Sequence, residues 1–127
     1  MHEISPQSAE AALRHAEISQ KHGESIETVG KILQGQEGAS ADVGQVIEER
    51  GQWIQEHAQA SKEYAKLAQI NKAASTEAYV MATSEHGKAV EEHVAAVKAY
   101  LAVAQENLEQ RRAEQVEHRI LIEHEQA

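Results

Sequence analysis

The chain has no cysteine, no phenylalanine, one proline and one tryptophan among its 127 residues. Without cysteine it forms no disulfide bond and carries out no thiol chemistry. Since tyrosine occurs only three times, a core must be built from alanine, valine, isoleucine and leucine. A chain rich in alanine, glutamine, glutamate and lysine and poor in proline is typical of long helices.

Basic patches and long apolar runs are also missing. The chain has 12 basic against 21 acidic residues, and the net charge is -9. Because phosphate contacts need a basic face, we expect no nucleic-acid partner and no binding to an anionic membrane surface. No run approaches the roughly 20 apolar residues of a membrane span. The first residues lack the basic and apolar regions of a cleavable signal peptide, so we expect a cytoplasmic protein or one secreted without such a peptide.

One stretch, from Asp42 to Thr83, has a regular apolar pattern without proline. Such spacing predicts one long helix with an apolar seam, against which the rest of the chain packs. The residues that recur every seven positions are Val46, Trp53, Ala60, Leu67, Ala74 and Met81. The intervening core positions hold Val43, His57, Tyr64, Ile70 and Ala78.

The first helix has clear signals at both ends. Ser5 is a good N-cap and Pro6 suits the first helical turn, while Gly35 suits the position after the last turn. The short connection over residues 35–40 predicts an antiparallel hairpin, with Ser40 or Asp42 capping the second helix. On the first helix we expect the buried side to carry Ala11, Ile18, Ile26, Val29 and Leu33.

The second turn is predicted from a change of helical phase. Met81 and Val90 are nine residues apart, which places them on opposite faces of a continuous helix at about 100° per residue. The polar segment between them contains Gly87, so we predict a turn near Glu85 to Gly87. The alternative is one unbroken helix from Asp42 to Glu125, which would bury both faces only in an oligomer.

These boundaries predict a single all-α domain over residues 1–127. The expected architecture is an antiparallel three-helix bundle or coiled coil, with helices at about 6–34, 41–84 and 88–125. Because the first helix is the shortest, the tip formed by residues 72–100 would have no third helix beside it. This tip is rich in alanine, and we expect a partner or a second copy to cover it.

The eight histidines do not form a metal motif. His15 and His22 are seven residues apart, as are His86 and His93, which is too far for one ion without a second structural element. We therefore predict no metal ligand, no cofactor and no catalytic residue, and we interpret the histidines as solvated. Since His22 and His57 fall nearest the apolar stripes, a pH-responsive core would follow if both were buried and neutral.

The first hairpin resembles the ESAT-6-like (WXG100) family of secreted helical hairpins. Gly38 matches the glycine of that family's Trp-x-Gly turn, and Gln36 stands at the tryptophan position. The family's Tyr-x-x-x-Asp/Glu signal has Tyr79 and Thr83 at its spacing. The resemblance covers residues 4–85 and implies a non-enzymatic protein that pairs with itself or a relative.

We predict a non-catalytic protein that works by helix–helix contact with a protein partner or with itself. Two alternatives are a secretion-system substrate or helical chaperone, and a metal- or ligand-binding bundle. Trp53 is expected to be a core, rim or interface anchor, with a cation–π contact to Arg111, Arg112 or Arg119 if the second turn is near residue 86. The candidate contact residues are Trp53, Tyr64, Tyr79, Met81, Val90 and Val94.

Overall fold

The structure is a computed structural model that describes residues 5–36 and 39–126. Three helices pack against one another: α1 (Pro6–Gln34), α2 (Ala39–Ile70) and α3 (Ser75–Gln126). Within the described ranges there is no strand. The predicted all-α class is confirmed, and so are the bounds of the first helix.

The start of α1 follows from two adjacent residues. The Ser5 hydroxyl accepts a hydrogen bond from the backbone N–H of Ser8 at 3.1 Å, and Pro6 occupies the first turn. At the other end, the N–H of Gly35 donates to the carbonyl of Ile32. Both predicted signals therefore mark the true ends of α1. The start of α2 differs from the prediction, because it begins at Ala39 and includes both Ser40 and Asp42.

Glycine allows α1 and α2 to approach very closely. A Cβ placed on Gly30 would lie 2.6 Å from the carbonyl oxygen of Gly44, and one on Gly51 would lie 2.8 Å from that of Gly23. Small residues recur every seven positions on both helices, so two backbones meet along a whole face. The buried small residues of this contact are Ala9, Ala16, Gly23 and Gly30 on α1 and Gly44, Gly51, Ala58 and Ala65 on α2.

A second line of buried residues on α2 faces α3. It consists of Ile47, Ile54, Ser61 and Ala68. On α3 the buried line is Ser75, Ala82, Ala89, Ala96 and Val103, which we call the inner seam. The hydroxyl of Ser61 donates to the carbonyl of Ala82 at 2.8 Å, and Val103 clusters with Leu33 and Ile47.

The predicted seam of α2 is therefore wrong by one position. Val46, Trp53 and Leu67 are exposed, whereas Ile47, Ile54 and Ala68 are buried. On α1, the predicted buried residue Ile18 is exposed as well. Small residues form most of the buried contacts, so the size of an apolar side chain does not predict whether that side chain is buried.

The predicted second turn is also wrong. The chain turns at residues 71–74, where the Asn71 side chain accepts a hydrogen bond from the N–H of Ala74 at 3.2 Å. Gly87 lies inside α3, and a Cβ there would meet nothing within 4 Å. The unbroken helix from Asp42 to Glu125 is excluded by the same turn. Met81 and Val90 lie on different faces of α3, so the change of helical phase between them does not require a turn in the chain.

The part of α3 that has no neighbouring helix lies at the opposite end of the bundle from the predicted tip. Ala9 clusters with Ala68 and Ala78, so the start of α1 reaches the turn between α2 and α3. His57 pairs with Glu85 and Arg50 with Glu92, and continuing this antiparallel register places the start of α2 level with Val103. Residues 104–126, which we call the overhang, extend roughly 35 Å beyond the bundle at 1.5 Å per residue.

Candidate functional site

The six predicted contact residues are divided between exposed and partly buried positions. Tyr64 and Tyr79 are partly buried. Trp53, Met81, Val90 and Val94 are exposed. Large apolar side chains at these positions therefore remain available for contact, although the predicted reason, an uncovered tip, does not hold.

The structure brings some of these residues together and separates others. Tyr64 and Met81 line one cavity of about 300 Å³ between α2 and α3. Tyr79 packs on the alanine cluster at the start of α1. Val90 lines a different cavity, formed by α1 and α3. The six residues thus belong to several surfaces of the bundle.

The predicted contact between Trp53 and an arginine is wrong. Arg50 pairs with Glu92 at 2.8 Å, which fixes the level of α2 against α3. Arg111 lies 19 residues further along α3, or roughly 28 Å at 1.5 Å per residue. The prediction depended on a turn near residue 86, and the observed turn moves all three arginines into the overhang.

The outer surface of α3 carries a regular row of exposed apolar side chains. We call Val90, Val94, Val97, Leu101 and Leu108 the outer stripe, and all five are exposed. The first four are spaced by four and three residues, as in a coiled-coil seam, and Leu108 follows Leu101 by seven residues. Val90 and Val97 follow Ala89 and Ala96 of the inner seam, so they lie about 100° around the helix.

Four histidines meet between α1 and α3, and we call them the histidine cluster. The ring centroids of His15 and His86 are 5.6 Å apart, and those of His22 and His93 are 5.0 Å apart. Between the pairs, the Ser19 hydroxyl and Nδ1 of His86 are hydrogen-bonded at 3.2 Å. All five residues line one cavity of about 340 Å³.

Burial favours the neutral form of two of these imidazoles. It lowers the pKa of His86, with a smaller contribution from the charge of His15. It lowers the pKa of His93 in the same way, with a contribution from His22. No carboxylate lines the cavity of the cluster. Across the described residues, no group of three or more histidines and carboxylates is arranged to hold a metal ion.

The histidine cluster was not predicted, although part of its signal is present in the sequence. The seven-residue spacing on each helix is visible there, but the pairing of His15 with His86 and of His22 with His93 is not. Equal spacing on two helices that run in parallel is what allows both pairs to form together. For His15 and His22 of α1, the second structural element is α3.

A separate polar contact joins α2 and α3. His57 Nδ1 lies 2.7 Å from a carboxylate oxygen of Glu85, and Lys88 Nζ lies 3.3 Å from the other oxygen. The hydrogen bond from His57 lowers the pKa of Glu85, burial opposes this effect, and Lys88 lowers the pKa further. The hypothesis of a core with buried His22 and His57 is therefore wrong, because His22 is exposed and His57 is half-buried in a polar contact.

No family model, curated protein or solved structure matches the chain. The resemblance to the ESAT-6-like family stays a prediction. A hairpin of α1 and α2 is present, but the turn glycine, Gly38, lies outside the described residues. Within the described ranges, no helix is long and apolar enough to cross a membrane.

Proposed function

We propose that this protein is a non-catalytic helical interaction module that associates with a second copy of itself through the outer stripe of α3. The observation that supports this proposal is a heptad-spaced apolar row, from Val90 to Leu108, that is exposed along its whole length. Exposed rows of this length usually mark an interface, because burying them against a partner removes apolar surface from water.

The described helices of this chain leave most of the stripe uncovered, and only Val90 borders the contact of α3 with α1. α1 and α2 end near the level of Val103, and the stripe continues past that level to Leu108. The inner seam becomes polar in the overhang, where Gln110, Glu117 and His124 follow its positions. Leu108 of the stripe is exposed there together with Val116, Ile120, Leu121 and Ile122, so a helix that covers this part of α3 must come from outside the bundle.

A second copy of α3 fits this row in antiparallel orientation. When Val94 is placed opposite Val97 of the second copy, the two-fold symmetry places Val90 opposite Leu101 of the second copy. The four side chains from Val90 to Leu101 then face apolar side chains, as coiled-coil packing requires, and Leu108 lies opposite Thr83 of the second copy.

Charges beside the stripe agree with the same alignment. It places Glu91 beside Lys98 of the second copy, and Glu77 beside Arg112 of the second copy. All four residues are exposed on α3 in the single chain. Since the symmetry repeats each pair, four attractions flank the apolar row, and these attractions would select the register.

Mass measurement by light scattering tests the association. The native chain is expected to run as a dimer, and Val90→Glu as a monomer, because the substitution places a charge in the apolar row. Val46→Glu is a matched control, since Val46 is 45% exposed and Val90 is 44% exposed. A native chain that stays monomeric at every concentration would contradict the proposal, and so would equal dissociation by both variants.

A charge exchange tests the alignment. Glu91→Lys and Lys98→Glu are each expected to weaken the dimer, because each places like charges side by side. The double variant restores both attractions and should dimerise as the native chain does. If the double variant is weaker than either single variant, the antiparallel alignment is wrong.

A further inference from the structure

The contact between α1 and α3 differs in kind from the other two helix contacts. α1 meets α2 through glycine and alanine, and α2 meets α3 through a buried seam of isoleucine, alanine and serine. Between α1 and α3, Ala9 clusters with Ala78 at one end and Leu33 with Val103 at the other, and two imidazole pairs and the bond between Ser19 and His86 form the middle of the contact. The middle of this contact therefore depends on groups that titrate near neutral pH.

The residues that face the histidine cluster supply no compensating anion. Besides the histidines and Ser19, α1 contributes Ile18 and α3 contributes Val90. In the adjoining cavity around His15 and His86, α2 contributes Ser61, and α3 contributes Tyr79 and Thr83. A proton added to the cluster thus finds no carboxylate among the residues that line it.

The nearest charged side chains along the helices are engaged elsewhere or exposed. Glu85 and Glu92, which precede His86 and His93, pair with His57 and Arg50 on α2. The exposed charged neighbours are Arg14, Glu17 and Lys21 on α1 and Lys88 and Glu91 on α3.

We propose that the histidine cluster is a proton-sensitive latch that holds α1 against α3. When both members of a pair are protonated, two positive rings lie about 5 Å apart in a partly desolvated site and repel each other. α1 then separates from α3 at the cluster, while its close contact with α2 remains. This inference does not depend on the proposed self-association.

The direction of the pH effect follows from the lowered pKa of His86 and His93. A group with a lowered pKa in the closed state binds more protons in the open state, so falling pH favours opening. The closed contact is fully present above the ordinary histidine pKa of 6.5 and weakens as the pH falls below it. Each of the two histidines raises the ratio of open to closed molecules by up to about tenfold per pH unit.

Spin-label distances measure the opening directly, and the absence of native cysteine makes the labelling specific. Ser25→Cys and Lys98→Cys label exposed positions on α1 and α3, and excess unlabelled protein removes distances between copies. We expect one short distance at pH 8 and an additional longer population at pH 5. A pair on α1 and α2, Ser25→Cys with Gln52→Cys, should show no change.

Two histidine variants separate the cluster from a general effect of acid. His86→Gln with His93→Gln should keep the pH 8 distance and lose the longer population at pH 5. His118→Gln with His124→Gln, in the overhang, should behave as the native chain. The proposal is overturned if the native distance is the same at both pH values, or if the cluster variant opens as the native chain does.

A second measurement uses the native chain and needs no substitution in the cluster. The proton NMR signals of the histidine rings are followed from pH 8 to pH 4. His86 and His93 should titrate below the ordinary histidine pKa of 6.5. Midpoints at or above 6.5 for both rings would contradict the latch.

Discussion

α3 carries two apolar surfaces that are built from different residues. The inner seam consists of serine and alanine until Val103, and it is buried. The outer stripe consists of valine and leucine, and it is exposed. Small side chains let helix backbones approach closely, whereas branched side chains hold them further apart. On α3, therefore, close approach of the backbones decides which face is buried, while on α2 the large side chains of Ile47 and Ile54 are buried as well.

The largest expected effect concerns two glycines, one in a close contact between helices and one that faces open space. In Gly30→Ala, the new methyl group meets backbone atoms of Gly44 and Glu48, which cannot move without separating α1 from α2. We expect a loss of about 2 kcal/mol or more in the free energy of unfolding. Gly87→Ala enters open space and should gain about 1 kcal/mol from helix propensity. Urea unfolding measures both, and changes of the same sign would contradict the close-approach argument.

Two adjacent residues of α3 give the next largest contrast. Ala96 is 0% exposed and Val97 is 46% exposed. Ala96→Leu should destabilise the bundle by about 1–3 kcal/mol, because the added atoms have no space between the helices. Val97→Leu should change the stability by less than about 0.5 kcal/mol. Thermal unfolding at a concentration that keeps both variants monomeric compares them, and equal losses would show that the two faces do not differ.

A polar group within the buried contact gives a smaller effect. The Ser61 hydroxyl donates to the Ala82 carbonyl at 2.8 Å, and Ser61 is buried. Ser61→Ala should reduce the free energy of unfolding by about 1 kcal/mol through loss of this bond. Ser84→Ala, at an exposed position of α3, is the control. A neutral effect at Ser61 would mean that the bond does not stabilise the seam.

The smallest effect is expected at the rim of the contact between α2 and α3. The hydrogen bond from His57 lowers the pKa of Glu85 below its ordinary 4.5. The contribution of this hydrogen bond to the free energy of unfolding is therefore present above pH 4.5 and is lost as the pH falls through the lowered pKa of Glu85. Glu85→Gln should melt at a lower temperature than the native chain at pH 6, and this difference should shrink at pH 3. A difference that is the same at both pH values would contradict the assignment.

Local signals predicted α1 well, because Ser5, Pro6 and Gly35 act within one turn of its ends. The second turn was not predicted, since the side chain of Asn71 is a weaker signal than the polar segment around Gly87. The histidine cluster was not predicted either, because it depends on which residues of α1 and α3 face each other. The antiparallel register between α2 and α3 is set by the position of the turn, and moving that turn moves every contact.

By itself, the sequence determined that the chain is helical and that its apolar residues repeat every seven positions, because helix propensity and heptad spacing are local properties. Only the tertiary structure decided which repeat is buried. Close approach favours the glycine and alanine lines, and this leaves the valine and leucine row of α3 outside. The same packing brings His15 and His22 to His86 and His93, since the register of whole helices, and not any local signal, places one ring against another.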